Sequence, residues 1–404
     1  MHTVLSKTLQ LYKDAWSGHR PEIWTLGILT LINRMGTMVI PFLTVYLTTV
    51  LGFSLREAGF LVGAYGLGSL GGTYLGGRLV DRIGPKPVIL GSLLLSGGLL
   101  ISLQLATAFP SLFALIVITA FFADAYRPAL MAAVGDFTPE GQTGRSMAFI
   151  RLAINLGMSA APAVGGFVAL ALGYRWLFWI DGLTCMAAAL YFIPAGRDWP
   201  AGGRHKRAGA TDQGPAAQAL PPYRNIPYLL FLLASFLTGF AFVQWFNSVP
   251  VFIKTAWGYD EGYIGILLAS SCALITLIEM PIIHSLEKAQ KAQATVLTGV
   301  LLIGVSFLPL LLPKSIWLGF FGIFLLTMGE ICFLPFNNTV PLHISPKTNR
   351  GDYIAWYWMV WSLVSITGPV AGLWFAEAFG WPVFWVALLA LAGLGWGLNR
   401  RLDF

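Results

Sequence analysis

Charge is scarce in this 404-residue chain: Asp, Glu, Lys and Arg make up 11% of it, whereas hydrophobic residues make up 56%. A soluble domain carries about a quarter charged residues, so a water-exposed surface along the whole chain is excluded. Cysteine is also scarce. Cys185, Cys272 and Cys332 all fall in apolar stretches, which excludes the disulfide framework of a small secreted fold. The five histidines, at 2, 19, 205, 284 and 343, lie mostly in polar connections, and no metal site is expected. With no phosphate-binding loop and no nucleophile beside a base, neither a cofactor nor an enzymatic activity is expected. No compact apolar core precedes Trp24, so no cleavable signal peptide is expected.

What the chain has in abundance is apolar runs of membrane-crossing length. About 20 residues cross some 30 Å of hydrocarbon, and twelve such runs are predicted: 23–49, 57–77, 87–107, 111–134, 146–170, 175–194, 226–253, 262–284, 293–312, 315–338, 352–376 and 381–399. The basic residues set the orientation. With the N-terminus in the cytoplasm, 18 of the 25 Lys and Arg fall in cytoplasmic segments, four (Arg56, Arg175, Lys254, Lys314) fall outside, and Arg34, Arg127 and Arg151 lie within spans. Both termini are therefore predicted to be cytoplasmic. The net charge of +7 is spread over separate loops and forms no nucleic-acid patch. The expected setting is the inner membrane of a bacterium, with the lipid bilayer as a partner and the chain monomeric.

The two halves repeat. Pro128, Gly144, Pro162, Gly165 and Gly173 recur 207 positions later as Pro335, Gly351, Pro369, Gly372 and Gly380. Duplicated halves in a membrane commonly enclose a site and rock around it, which points to a transporter. The expected organisation is an amphipathic cytoplasmic N-terminus (1–22), a six-helix bundle (23–194), a Gly-, Ala- and Pro-rich cytoplasmic linker (195–225) and a second six-helix bundle (226–404). The fold class is an all-α membrane protein with 12 transmembrane helices. One soluble-protein motif is misplaced. Gly66-Leu67-Gly68-Ser69-Leu70-Gly71 fits G-x-G-x-x-G but lies inside an apolar span, without the strand that a dinucleotide site requires. Gly68, Gly72 and Gly76 read better as a small-residue ladder for close helix packing.

The second span is followed by Gly77-Arg78-Leu79-Val80-Asp81-Arg82-Ile83-Gly84-Pro85-Lys86. This resembles the G-x-L-x-D-R-x-G-x-K loop of the major facilitator superfamily, with Pro85 where a basic residue is common. Leu286-Glu287-Lys288 is a worn copy in the second half. The resemblance implies the major facilitator fold, a cytoplasmic latch at Gly77, Asp81, Arg82 and Gly84, and a cavity lined by the first, fourth, seventh and tenth spans. The run from Gly157 to Gly166, with Pro162, Gly165 and Gly166, is similar to the fifth-helix motif of proton-coupled drug antiporters in that superfamily, with Ala161 where glycine is usual. It is also a helix-packing motif. The superfamily's peptide symporters carry E-x-x-E-R-F-x-Y-Y in the first helix; of that pattern only Arg34 survives here.

Charge inside the spans nominates the chemistry. A charged side chain at mid-bilayer costs roughly 2.5–3.5 kcal/mol, so Arg34, Arg127 and Arg151 are expected to face protein and to need partners. Asp124 and Arg127, three apart, share one helix face. The pair is either a neutralised structural ion pair or a proton site whose pairing changes on protonation. Glu330 has no basic neighbour on its own helix and is the second proton-coupling candidate. Candidate substrate contacts are Arg34, Asn33, Tyr126, Arg151, Asn155, Gln244, Asn247, Asn337, Tyr357 and Trp361, expected in an apolar, aromatic cavity with few charges that suits amphipathic cations and zwitterions better than sugars. The expected function is proton-coupled secondary transport by alternating access, exporting drug-like solutes in exchange for protons. The alternative is proton-coupled movement of di- or tripeptides or related zwitterions, in which Arg34 meets a substrate carboxylate.

Overall fold

The computed structural model describes residues 19–139, 143–197, 199, 220–288, 292–346 and 349–402. The amphipathic N-terminal stretch and most of the linker lie outside the described residues. The helices are α1 (Pro21–Met35), α2 (Val39–Val45), α3 (Leu55–Ile83), α4 (Pro85–Leu103), α5 (Phe109–Phe137), α6 (Thr143–Leu172) and α7 (Arg175–Ala195). They continue as α8 (Ile226–Asn247), α9 (Val249–Thr255), α10 (Glu261–Lys288), α11 (Ala292–Val305), α12 (Ile316–Asn337), α13 (Val340–Ile344), α14 (Arg350–Phe379) and α15 (Trp381–Asn399). No strand occurs among the described residues.

Among the described residues, 11 helical segments are long and apolar enough to cross a membrane, against the 12 expected. The remaining one is α3. Its 29 residues give ample length, but its glycines together with Arg56, Glu57, Arg78, Asp81 and Arg82 dilute its apolarity.

The first span of each half is broken. α1 stops at Met35 and α2 starts at Val39; α8 stops at Asn247 and α9 starts at Val249. Proline removes its own N–H and clashes with the carbonyl four residues back. Pro41 places that clash at Thr37 and Pro250 places it at Phe246, next to each break. α2 then widens into a π-helical turn, Tyr46–Val50, where the Thr48 and Thr49 hydroxyls donate back to the Thr44 and Val45 carbonyls at 2.9 and 2.7 Å.

The chain forms two compact units, each completed by a segment from the other half of the sequence. Unit 1 comprises residues 1–52, 64–206 and 259–276; unit 2 comprises 53–63, 207–258 and 277–404. In unit 1, α1 packs on α6 and α7, and α4 on α5 and α7. In unit 2 the equivalent pairs recur, α8 on α14 and α15, and α11 on α12 and α15. The repeat anchors keep equivalent roles. Gly173 and Gly380 both take positive φ, +92° and +82°, at the turns before α7 and α15. Pro162 and Pro369 both lie inside helices, and each leaves a carbonyl facing a glycine. A Cβ on Gly265 would lie 2.4 Å from the Pro162 oxygen, and one on Gly59 would lie 2.7 Å from the Pro369 oxygen. Backbones this close require the absence of a side chain.

The ladder in α3 packs α3 on α5. A Cβ on Gly68, Gly72 or Gly76 would come within 2.8 Å of Val117 O, Phe121 O and Ala125 Cα, respectively. The four-residue step on α3 meets a four-residue step on α5, so the G-x-G-x-x-G match is packing.

Candidate functional site

The break in the first span builds the polar centre of unit 1. Where α1 ends, Met38 N–H reaches the Gly36 carbonyl at 2.9 Å in place of an acceptor one helical turn back, and Asp181 of α7 supplies a carboxylate for it and for Val39 N–H. Met38 N–H donates to both carboxylate oxygens at 2.9 and 3.0 Å, and Val39 N–H donates to Oδ2 at 2.7 Å. α7 reaches this point because Gly36 has no side chain; a Cβ there would lie 1.7 Å from the Thr184 hydroxyl. Asp181 is 3% exposed, and the positive end of α2 faces its charge.

Beside this cap lies a cavity of about 80 Å³ enclosed by α1, α2, α3, α4, α5 and α7. Asn33, Arg34, Asp124 and Tyr126, four of the residues nominated from sequence, line it together. Asp124 is 3% exposed, and its Oδ1 accepts from Arg127 Nε at 2.8 Å. The pair forms as the spacing predicts, with the Arg127 side chain 58% exposed and the Asp124 side chain 4% exposed. Tyr126 and Thr30 share a hydroxyl–hydroxyl bond of 2.9 Å, and Asn33 Nδ2 donates to the Cys185 sulfur at 3.4 Å. Three buried atoms of the lining, Arg34 Nε, Thr119 Oγ1 and Asp124 Oδ2, hold no hydrogen bond among the described residues.

Of the three intramembrane arginines, Arg34 alone lodges within its bundle. Arg151 is exposed and Asn155 half-buried on α6, and neither lines this cavity. The α6 glycines serve close contact: a Cβ on Gly157 would lie 2.6 Å from Arg34 Cβ, one on Gly165 3.0 Å from Met38 Cβ, and one on Gly166 2.4 Å from the Glu261 carbonyl. At the end of α3, Asp81 and Arg82 are exposed. Gly84 turns the chain into α4 with φ +84°.

Unit 2 has a polar network of its own. Asn337 Nδ2 donates to the Tyr357 hydroxyl at 2.9 Å, and that hydroxyl donates to Asn338 Oδ1 at 2.5 Å. Ser235 adjoins Asn337 Oδ1 at 3.4 Å. Phe231 stacks on Tyr357 at 5.9 Å, and Trp361 meets Tyr357 and Phe242 edge-on, each at 6.4 Å. Gln244, fully buried, is committed to packing: it donates to the Gly368 carbonyl at 2.9 Å and accepts from Ser248 at 2.6 Å. Asn247 donates to the Val243 carbonyl at 3.0 Å. Glu330 sits half-buried on α12.

Sequence reasoning offers Asp181 only as an acidic partner for the arginines, nearer the outer surface, and does not nominate Tyr65, Ser92, Ser96, Thr119 or Cys185; all six also line the cavity. Asp181 carried a legible signal, the single carboxylate in the span 175–194. The hydroxyl residues carried none, because serine and threonine in apolar helices usually bond their own backbone.

The profile of the Major Facilitator Superfamily matches residues 26–366. The chain is 24% identical over 367 residues to the uncharacterized MFS-type transporter YhjO of Bacillus subtilis, covering 90% of this chain and 89% of that protein. It is 23% identical over 366 residues to the multidrug resistance protein MdtH of Edwardsiella ictaluri, covering 88% and 87%. Among solved structures, the peptide transporter POT in complex with sulfate superposes with a TM-score of 0.78 over 96% of each chain at 16% identity, a likeness of fold. The chain is a multi-pass integral membrane protein, a transporter and not an enzyme, and it belongs to the Major Facilitator Superfamily.

Proposed function

We propose that the chain is a proton-coupled secondary transporter that works by alternating access and exports drug-like or amphipathic molecules in exchange for protons. The observation that carries this reading is Asp124: a buried carboxylate with one oxygen on Arg127 Nε at 2.8 Å and the other without a partner. A buried charge is stable only when paired and hydrogen-bonded. Half of this one is satisfied by an arginine that is itself largely exposed, so a proton on Asp124 competes directly with the pair. Glu330 in unit 2 is the second candidate for proton exchange. The 80 Å³ cavity is well below the few hundred Å³ that a drug-sized ligand needs, so a drug-like solute is assigned outside it. The multidrug relative MdtH supports the export reading.

A second reading has its own observation. The Arg34 guanidinium lines the cavity with Nε buried and unpartnered, which suits an incoming carboxylate. The structural likeness to a peptide transporter agrees with that class of solute. Transport into proteoliposomes under an imposed pH gradient, with cationic dyes and dipeptides in parallel, separates the two. Dye efflux against proton influx, lost in Asp124→Asn or Glu330→Gln, is the expected outcome. Peptide movement with the proton gradient, lost in Arg34→Lys, would replace the export reading by the second one.

A further inference from the structure

The cavity of unit 1 brings together two carboxylates from different helices, Asp124 of α5 and Asp181 of α7. Its other titratable lining groups are Arg34 of α1, Tyr65 of α3, Tyr126 of α5 and Cys185 of α7; α2 and α4 present apolar and serine side chains, and α6 presents none. Arg34 Nε, Thr119 Oγ1 and Asp124 Oδ2, all from this lining, are buried without a protein partner. Buried polar atoms nearly always have a partner, in protein or in ordered water. A cavity needs roughly 10–15 Å³ to admit one water, so 80 Å³ has room for a few, held where the three unpartnered polar atoms interrupt a largely apolar lining. Water, rather than a solute, fits both the volume and the mixture of donors and acceptors.

We propose that this cavity is a hydrated proton-exchange chamber inside unit 1, in which Asp181 takes up a proton that leaves Asp124 through ordered water and returns it by the same route. The O–H bond of a protonated Asp124 breaks as a water accepts the proton. Each water passes one of its own protons onward, and a new O–H bond forms on Asp181. Asp124 ends as a carboxylate and Asp181 as a neutral acid, with no other reactant. The destination matters because Asp181 holds the Met38 and Val39 N–H groups. Bonds to a charged acceptor are about twice as strong as bonds to a neutral one, so a proton on Asp181 loosens the cap of α2 and ties proton position to the break in the first span. The chamber deepens the proton-coupled reading and rests on it for its use in transport, though not for its chemistry.

The test is infrared difference spectroscopy on the purified full-length protein in lipid nanodiscs, titrated from mildly acidic to mildly alkaline pH in H2O and D2O. A background with Cys272→Ser and Cys332→Ser leaves the Cys185 S–H band as a reporter inside the cavity. The expected result is one protonated-carboxyl band lost in Asp181→Asn and another lost in Asp124→Asn. Asp124→Asn should also shift the midpoint of the Asp181 band by about one pH unit, as coupled sites do. Both carboxyl bands and the Cys185 S–H band should shift promptly in D2O. An Asp181→Asn spectrum identical to wild type, or an S–H band that resists D2O, overturns the chamber. Asn keeps an acceptor for Met38 and Val39, and Asp181→Glu should move its band without abolishing it, which separates a folding defect from a missing proton site. The two readings fail separately. Transport indifferent to pH, with the bands as expected, removes proton coupling and leaves the chamber; pH-driven transport with an unchanged Asp181→Asn spectrum does the reverse.

Discussion

Asp181 accepts the Val39 N–H at 2.7 Å, a carboxylate on α7 closing the first turn of a helix that begins in the middle of the first span. Removing it leaves the Val39 N–H buried without an acceptor, at about 1–3 kcal/mol for an unsatisfied group, and leaves Met38 N–H only its bond to the Gly36 carbonyl at 2.9 Å. Asp181→Ala is therefore expected to melt clearly below wild type in detergent, with Asp181→Asn between them because its amide oxygen still accepts. Equal melting of the Ala and Asn variants would show that the cap does not hold the break.

The α3–α5 contact makes neighbouring glycines unequal. A Cβ on Gly72 would lie 2.0 Å from the Phe121 carbonyl, whereas one on Gly77 meets nothing closer than Pro128 Cβ at 3.9 Å. Gly72→Leu is expected to abolish folded yield, and Gly77→Ala to leave it near wild type, as read by monodisperse recovery on size-exclusion chromatography. Comparable recovery of both would contradict the close approach.

Asp124 and Arg127 should not be interchangeable in their effects. Arg127→Gln leaves the Asp124 carboxylate buried without its cation, a loss on the order of 3–5 kcal/mol where a buried pair is broken, reduced here because Arg127 is more than half exposed. Asp124→Asn removes the charge and spares the fold. The expected pattern is lower thermal stability in Arg127→Gln, and near-normal stability in Asp124→Asn, with proton-driven efflux lost and only pH-insensitive solute counterflow remaining. Counterflow assays and thermal melts on the same preparations check both.

In unit 2, Tyr357→Phe deprives Asn337 Nδ2 of an acceptor and Asn338 Oδ1 of a donor. With Asn337 fully buried, the cost is about 1–3 kcal/mol, seen as a lower melting temperature. If Tyr357 also lines the solute path, KM rises beyond what the folded fraction explains.

Tyr174, in the short turn before α7, donates to Glu261 Oε1 at 2.6 Å. Burial and that carboxylate push its hydroxyl far above the ordinary tyrosine range. A raised folded pKa means that the stabilisation is complete below about pH 10, the unfolded value, and is lost as pH rises beyond it. Tyr174→Phe is expected to cost about 1 kcal/mol at neutral pH, discounted for partial exposure. Melts in increasingly alkaline buffer should bring wild type and variant together; a gap that widens with pH would contradict the bond.

Two expectations illustrate where sequence reading stops. The ion pair between Asp124 and Arg127 was legible because a three-residue step on a helix fixes a shared face. Gln244 was nominated for solute contact on the same logic of a polar residue in an apolar span, yet its amide bonds the Gly368 carbonyl and Ser248. A polar residue in a span signals that it has a partner, and only the packed neighbour reveals whether that partner is backbone or solute. Arg34 and Asp181 show the converse. Each was visible as an isolated intramembrane charge, but their meeting around one cavity depends on how far α7 approaches the break in α1.

The membrane class and the repeat of glycines and prolines were legible in the sequence, because hydropathy over about 20 residues and glycine or proline at a fixed offset are local properties of the chain. Tertiary structure decided which charges are enclosed, which glycines are obligatory and which carboxylate caps the broken first span. Those outcomes depend on interhelical distances of a few ångströms, set by side chains far apart in sequence.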